Sequence, residues 1–87
     1  MALTTNRQIR AARALLGWEQ DHLAAAAKVS TVTIRRMEKT EGTLPGRHET
    51  VQKLQRAFEE AGVEFINSDK PGVRLDMSKL QAPSAAA

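Results

Sequence analysis

Apolar side chains recur three or four positions apart in four stretches of the chain, which is the spacing of one face of an α-helix. The four faces comprise these side chains: Ile9, Ala12 and Leu16; Leu23, Ala24 and Ala27; Ile34 and Met37; and Val51, Leu54, Phe58 and Ala61. Polar and charged residues fill most of the positions between them. The pattern therefore predicts four amphipathic helices.

The first predicted helix has signals at both ends. Thr4 or Thr5 can cap its N-terminus, and Thr5 stands at capping-box spacing from Gln8, so that each side chain can bind the backbone amide of the other residue. Gly17 follows Leu16 and is predicted to end the helix. We therefore expect this helix to run from just after its cap to about Leu16.

Further signals delimit the later helices. Ser30 can accept a hydrogen bond from an amide in the first turn of a helix that runs from Thr31 to about Lys39. Residues 40–46 contain two glycines and a proline, a composition typical of a loop. A last helix is predicted from about His48 to Ala61, and Gly62 is its expected stop.

The composition after Gly62 is typical of strands. Residues 63–66 and 73–75 are short β-prone runs, and the turn-forming residues 67–72 separate them. The two runs can form a hairpin, or each can pair with a second protomer. The predicted organisation is a helical domain at residues 1–62, a β-prone dimerisation segment at 63–75 and a disordered tail at 76–87.

The segment Gln20 to Lys39 combines two of these helices with a short turn. Ile34 and Met37 can face inward from its second helix, and the rest of that helix carries hydrogen-bonding and cationic groups. Small side chains in the first helix allow the second to approach closely. Such an arrangement suits a nucleic-acid groove.

Residues 7 to about 61 resemble the DNA-binding domain of the lambda-repressor-like, or XRE-type, bacterial regulators. The resemblance rests on residues at that family's spacing: Arg13, Gly17, Gln20, Leu23, Ala24, Val29, Ser30, Ile34 and Glu38. With the β-prone runs, it predicts a mainly all-α fold. We expect a four- to five-helix lambda-repressor-like DNA-binding domain with a helix-turn-helix at 20–39 and a short C-terminal β segment or hairpin.

Two positions depart from the family pattern. Lys28 stands at the turn, where the family often has glycine and the backbone commonly has a positive φ. Glu19 stands where serine or threonine is common; it suits a helix N-terminus but would repel a nearby phosphate. We expect some strain at the turn.

The resemblance implies distinct roles for the exposed side chains of this motif. The N-terminal part of a recognition helix enters the major groove, where base edges are distinguishable. The residues implied to read bases are Gln20, Thr31, Val32 and Arg36. The residues expected to contact phosphates are Thr33, Arg35, Lys39, Arg47 and His48.

Arg13 and Glu38 match positions that form a partly buried ion pair in related repressors. The pair would tie the first helix to the recognition helix. Its implied role is structural.

Charge is distributed unevenly. Residues 1–47 carry eight Lys or Arg against four Asp or Glu, a net of +4, whereas residues 48–87 carry five against six, a net of −1. The basic part holds the helix-turn-helix, as expected if it attracts phosphate. Solvated surfaces of other proteins also carry such excesses, so the asymmetry supports DNA binding only together with the motif.

Other interpretations are available for single residues. The helix pair can be a generic helical hairpin, and Arg35 and Arg36 can belong to a solvated surface. Trp18 is more often a core residue than a groove wedge. His22 and His48 lack companion ligands at metal-site spacing.

The composition bears on other classes of protein. There is no cysteine, so disulfides and thiolate metal sites are excluded. No nucleophile, base and phosphate-binding loop occur together, so we expect neither an enzyme nor a cofactor. No targeting signal or membrane span is visible, and we expect a cytoplasmic, nucleoid-associated protein.

The predicted function is sequence-specific binding of double-stranded DNA by a homodimeric transcriptional regulator on an inverted-repeat operator, and we expect a repressor. Dimer contacts are expected from the last helix and the β-prone segment: Phe58, Phe65, Ile66, Val73 and Leu75. The alternative is an antitoxin that binds a cognate toxin protein and represses its own operon. In that case residues 63–75 or the tail would contact the toxin.

Overall fold

The computed structural model describes residue 3 and residues 5–41, 48–66 and 70–79. Within these ranges the chain is mostly helical and ends in a two-stranded antiparallel hairpin, as predicted. The elements in chain order are α1 (Asn6–Leu16), α2 (Gln20–Ala27), α3 (Thr31–Lys39), α4 (His48–Glu60), β1 (Val63–Ile66) and β2 (Gly72–Leu75). The expected cap at Thr4 and the phosphate contact at Arg47 lie outside the described residues.

The predicted helix ends are confirmed. Thr5 accepts a hydrogen bond from the Gln8 amide, and Gln8 accepts one from the Thr5 amide, which forms the capping box of α1. Gly17 ends α1 in the left-handed conformation with φ 69°. Ser30 accepts a hydrogen bond from the Thr33 amide and so begins α3.

Lys28 has the positive φ that its position predicted. Its φ is 59° and its ψ is 46°, and its backbone amide donates to the Ala24 carbonyl at the end of α2. A residue with a Cβ is strained there by roughly 1–2 kcal/mol relative to the right-handed region. The turn between α2 and α3 therefore holds a lysine in a conformation that favours glycine.

A shared core joins the helices to the hairpin. Its side chains with no exposed surface include Ile9, Leu23, Ile34, Leu54 and Phe58. An aromatic series runs through this core: the ring centroids of Trp18 and Phe58 lie 5.9 Å apart, as do those of Phe58 and Phe65. Trp18 is thus packed against the core, as expected, although it also stacks on the exposed His22 at 4.4 Å.

The two strands pair with each other in a hairpin, one of the two arrangements that the sequence allowed. Val63 lies opposite Leu75 and Phe65 opposite Val73, and these pairs face the helices. Gln8 of α1 closes the other end of the ladder, because its Nε2 donates to the carbonyls of Ile66 at 3.3 Å and Gly72 at 3.1 Å. The hairpin is therefore packed onto the helical domain.

The burial of two aromatic rings corrects the predicted dimer interface. Phe58 has no exposed surface and Phe65 only 2%. Both rings are core residues of the single chain because α4 and β1 bury them against each other. Neither is available to a second protomer, whereas Ile66, Val73 and Leu75 are partly exposed.

The first residues of the predicted tail continue the hairpin. The Asp76 amide donates to the Gly62 carbonyl at 2.7 Å, and residues 77–79 form a turn. The amide and hydroxyl of Ser78 both donate to Asp76 Oδ1, and the hydroxyl bond is the larger cause of a lowered Asp76 pKa. The expected disorder from residue 76 is thus wrong for residues 76–79, and residues 80–87 lie outside the described part.

Candidate nucleic-acid interface

Helix α3 has one buried face and one exposed face. Ile34 and Met37 are buried in the core, as predicted, and Glu38 is buried beside them. Val32 on the other side is 63% exposed, a high fraction for a large apolar side chain. Val32 is therefore free to make an apolar contact with another molecule.

Three cations share the exposed side with Val32. A shallow cavity of about 310 Å³ lies on this side of α3, and its lining is formed by Val32, Arg35, Arg36, Lys39 and Thr40. We call these five residues the reading face. In the ranges described, Arg35, Arg36 and Lys39 form no ion pair with a carboxylate. The reading face therefore presents cations that are available to an anionic partner.

The start of α3 carries hydroxyl groups with defined hydrogen bonds. The Ser30 hydroxyl donates to Thr33 Oγ1 at 2.8 Å in addition to capping the helix. The Thr31 hydroxyl donates to Asp21 Oδ1 at 3.0 Å, which connects the first turns of α2 and α3. Thr31 and Thr33, predicted to contact DNA, are thus already held in place by neighbouring side chains.

The predicted ion pair between Arg13 and Glu38 is present. Arg13 Nε lies 2.7 Å from Glu38 Oε2, and Nη2 lies 2.9 Å from Oε1. The Arg13 Nη1 also donates to the Trp18 carbonyl at 3.0 Å. The hydrogen bond to Glu38 raises the pKa of the Arg13 guanidinium above its ordinary value, so Arg13 stays positively charged at neutral pH.

Two amide side chains complete this buried polar group. Gln20 Nε2 donates to Glu38 Oε1 at 3.0 Å, and Asn6 Nδ2 donates to the Glu38 backbone carbonyl at 3.0 Å. We call Asn6, Arg13, Gln20 and Glu38 the anchor cluster. It connects α1, α2 and α3 from the inner side of α3. The direction of α3 is therefore fixed by hydrogen bonds as well as by apolar packing.

Gln20 has a structural contact that the sequence did not reveal. We predicted that it would read bases, but its amide nitrogen binds Glu38. A base contact by Gln20 stays a prediction. Asn6 and Asp21 were also missed: neither belongs to a local pattern, and their partners are 32 and 10 positions away in sequence.

The other predicted phosphate contact in the described part is His48. It is exposed and begins α4, where backbone amides at a helix N-terminus favour anions. The structure does not link His48 to the reading face, so its contact with a phosphate stays a prediction.

In residue 3 and ranges 5–41, 48–66 and 70–79, no group of three or more His, Cys, Asp or Glu is arranged to hold a metal ion. None of the helices described above has the length and apolar character to cross a membrane. The chain matches no model of a known protein family, and no curated protein matches it significantly.

Proposed function

We propose that this chain is a sequence-specific double-stranded DNA-binding protein of the XRE type, with α3 as the recognition helix. The observation that carries the proposal is the reading face: three cations with no carboxylate partner among the described residues lie beside an exposed valine, on a helix whose opposite side is buried. Such a face combines attraction to phosphates with groups that distinguish bases. The anchor cluster supports the proposal because a reading helix must be held in one orientation.

The residues of α3 have different functions in this proposal. Arg36 donates two hydrogen bonds to O6 and N7 of a guanine, and Val32 contacts a thymine methyl group. Thr33, Arg35 and Lys39 contact phosphates. Since Arg35 and Arg36 line the same cavity, base selectivity has to be measured for each arginine separately.

The binding unit in this proposal is a homodimer. Two recognition helices would occupy successive major grooves about 34 Å apart on an inverted repeat. Ile66, Val73 and Leu75 are the partly exposed apolar residues of the hairpin available for the contact. Because Gly62 and Asp76 form a hydrogen-bonded pair, the backbone groups of Val73 and Leu75 point away from β1 and can pair with another strand.

A repressor is the proposed type of regulator. A dimer bound at an operator would exclude polymerase from the same DNA. The helices and hairpin share one core, and the described part contains no separate sensing domain that would support activation.

The antitoxin is retained as a second candidate because of a cavity on the hairpin. It has a volume of about 590 Å³ and lies along β1, between the end of α4 and Lys79. A toxin side chain could enter it while α3 binds the operator. If a neighbouring reading frame arrests growth and co-expression of this chain relieves the arrest, the antitoxin function is supported; if growth stays arrested, it is not.

Selection of bound duplexes from a random DNA pool tests the proposal directly. We expect enrichment of an inverted repeat, and binding of the enriched duplex that is tighter than that of a shuffled duplex by about 10³-fold or more. A variant in which Arg35, Arg36 and Lys39 are all replaced by alanine tests the reading face. Its matched control is a variant in which the exposed Lys53 of α4 is replaced. Equal binding of enriched and shuffled duplexes by the wild-type chain would exclude the proposal.

A further inference from the structure

The bond between Thr31 and Asp21 determines which hydrogen-bonding group Thr31 can offer to DNA. A threonine hydroxyl has one proton. In this structure that proton is donated to Asp21 Oδ1 at 3.0 Å. The hydroxyl therefore keeps only its acceptor lone pairs for another molecule.

Asp21 adds a second acceptor at the same place. It is exposed in the first turn of α2, and it forms no ion pair with any residue of the described ranges. Its carboxylate has acceptor capacity left after binding Thr31, since an ionised carboxylate accepts at both oxygens. Two acceptors thus lie side by side, Asp21 at the start of α2 and Thr31 at the start of α3, whereas Arg35, Arg36 and Lys39 further along α3 carry only donors.

The bases differ in whether they present a hydrogen-bond donor to these acceptors in the major groove. Guanine presents O6 and N7, both acceptors, and thymine presents O4 and a methyl group. Adenine presents an amino group, but the acceptor N7 lies beside it. Cytosine presents the N4 amino donor, and aspartate is among the side chains that accept from it.

We propose that Asp21 and Thr31 form an acceptor pair that selects cytosine at one position of the half-site: Asp21, oriented by the Thr31 hydroxyl, accepts the one N4 hydrogen that faces the groove, and Thr31 offers no donor to the oxygen of a guanine or thymine. This inference rests on the proposed DNA-binding function. Thr31 and Arg36 are five residues apart, about 7.5 Å along a helix, which corresponds to about two base-pair steps of 3.4 Å. The selected cytosine should therefore lie about two base pairs from the guanine bound by Arg36.

The carboxylate also affects binding to DNA of other sequences. Where no amino group faces it, Asp21 is a negative charge close to phosphates and lowers the affinity. Asp21 thus increases discrimination in two ways: it favours cytosine and it disfavours unrelated duplexes. A residue that only stabilises the contact between α2 and α3 would do neither.

Selection from a random pool with three variants tests the pair. With Asp21→Ala, the Thr31 hydroxyl is free to donate, so the cytosine preference should fall roughly tenfold, and binding to a shuffled duplex should strengthen about two- to fivefold at 0.1 M salt. Asp21→Asn can still accept from Thr31 and should keep part of the preference. Thr31→Val should lose preference at the same base pair as Asp21→Ala.

Glu49→Ala provides the matched control, because Glu49 is an exposed acid in the first turn of another helix. It should leave the selected sequence unchanged. Melting curves are recorded for every variant, and if Asp21→Ala does not fold, Asp21→Asn and Thr31→Val carry the test. Variants that fold and select the wild-type sequence overturn the acceptor pair alone, whereas a wild-type chain that selects no sequence overturns the proposed function and the pair together.

Discussion

Under the proposed function, the effect of Arg36 on DNA sequence specificity can be measured separately from its effect on overall DNA affinity. It lies on the reading face with Lys39, and neither side chain pairs with a carboxylate of the described residues. Arg36→Ala should cost about 1–3 kcal/mol of binding free energy and relax the preference at one base pair. Lys39→Ala should weaken all sequences similarly and reduce the salt slope by about one.

Fluorescence anisotropy on operators with single base-pair changes, at several salt concentrations, measures both effects. If Arg36→Ala weakens all these duplexes to the same degree, the assignment of Arg36 to base reading is wrong.

Glu38 is the centre of the anchor cluster, and its replacement should reduce stability. Its side chain is 5% exposed and accepts hydrogen bonds from Arg13 and Gln20. Glu38→Ala leaves the Arg13 charge partly buried without its carboxylate partner, so the free energy of unfolding should fall by about 3–5 kcal/mol. Denaturant titration measures it. Glu41→Ala breaks the exposed pair with Arg7 and should cost at most about 1 kcal/mol; loss of DNA binding by Glu38→Ala with an unchanged unfolding curve would contradict a structural role.

Replacing Lys28 by glycine should increase stability, whereas replacing Glu38 should reduce it. Glycine removes the strain of a φ of 59° but loses more conformational entropy on folding. The net effect of Lys28→Gly should be a gain of about 0.5–1 kcal/mol in the free energy of unfolding. Lys28→Ala is the control, because it removes the charge and keeps the Cβ. If alanine stabilises as much as glycine, the charge and not the backbone is responsible.

The contacts that could be predicted at the residue level are those between chain neighbours or those carried by the resemblance. The capping box of Thr5 and Gln8 and the cap at Ser30 depend on residues three positions apart, so the sequence reveals them. The Arg13–Glu38 pair came from the family pattern. Asn6 and Gln20 could not be assigned to Glu38, because their contacts exist only after three helices have packed.

At the scale of elements, the hairpin and α1 depend on each other. The Gln8 side chain is 3% exposed, and it accepts from the Thr5 amide while its Nε2 donates to both strands of the hairpin. One residue thus caps a helix and closes a sheet. The periodicity predicted both elements, but a contact across 64 positions has no local signal.

Gln8→Ala should therefore loosen the hairpin. The carbonyls of Ile66 and Gly72 would lose a buried donor, at a cost of about 1–3 kcal/mol. Hydrogen exchange should become faster in the strand amides of β1 and β2, where Gln8 donates, than in α3. Gln52→Ala on the exposed side of α4 is the control and should leave exchange unchanged. Equal exchange of the hairpin in both variants would show that apolar packing alone holds it.

At the scale of the whole molecule, the burial of Phe58 and Phe65 limits which residues can form the proposed dimer contact. The sequence pattern assigned both rings to a partner because it cannot show whether an apolar residue contacts its own chain or another. The hairpin and helices bury these rings within one protomer. The remaining candidates are partly exposed but lie on two faces of the hairpin: Val73 and Leu75 are on the face that packs against the helices, and Ile66 is on the opposite face.

The spacing of half-sites tests the dimer. On an operator with two half-sites about 10 base pairs apart, both recognition helices face the same side of the DNA. Inserting about five base pairs turns one half-site to the opposite side and should abolish the benefit of the second site. Ile66→Lys places a charge on the hairpin face that points away from the helices, so it should make binding insensitive to the insertion if the dimer contact uses that face, whereas Leu15→Lys on α1 should not. A wild-type chain that sediments as a monomer at micromolar concentration and binds both operators equally would show that each chain acts alone.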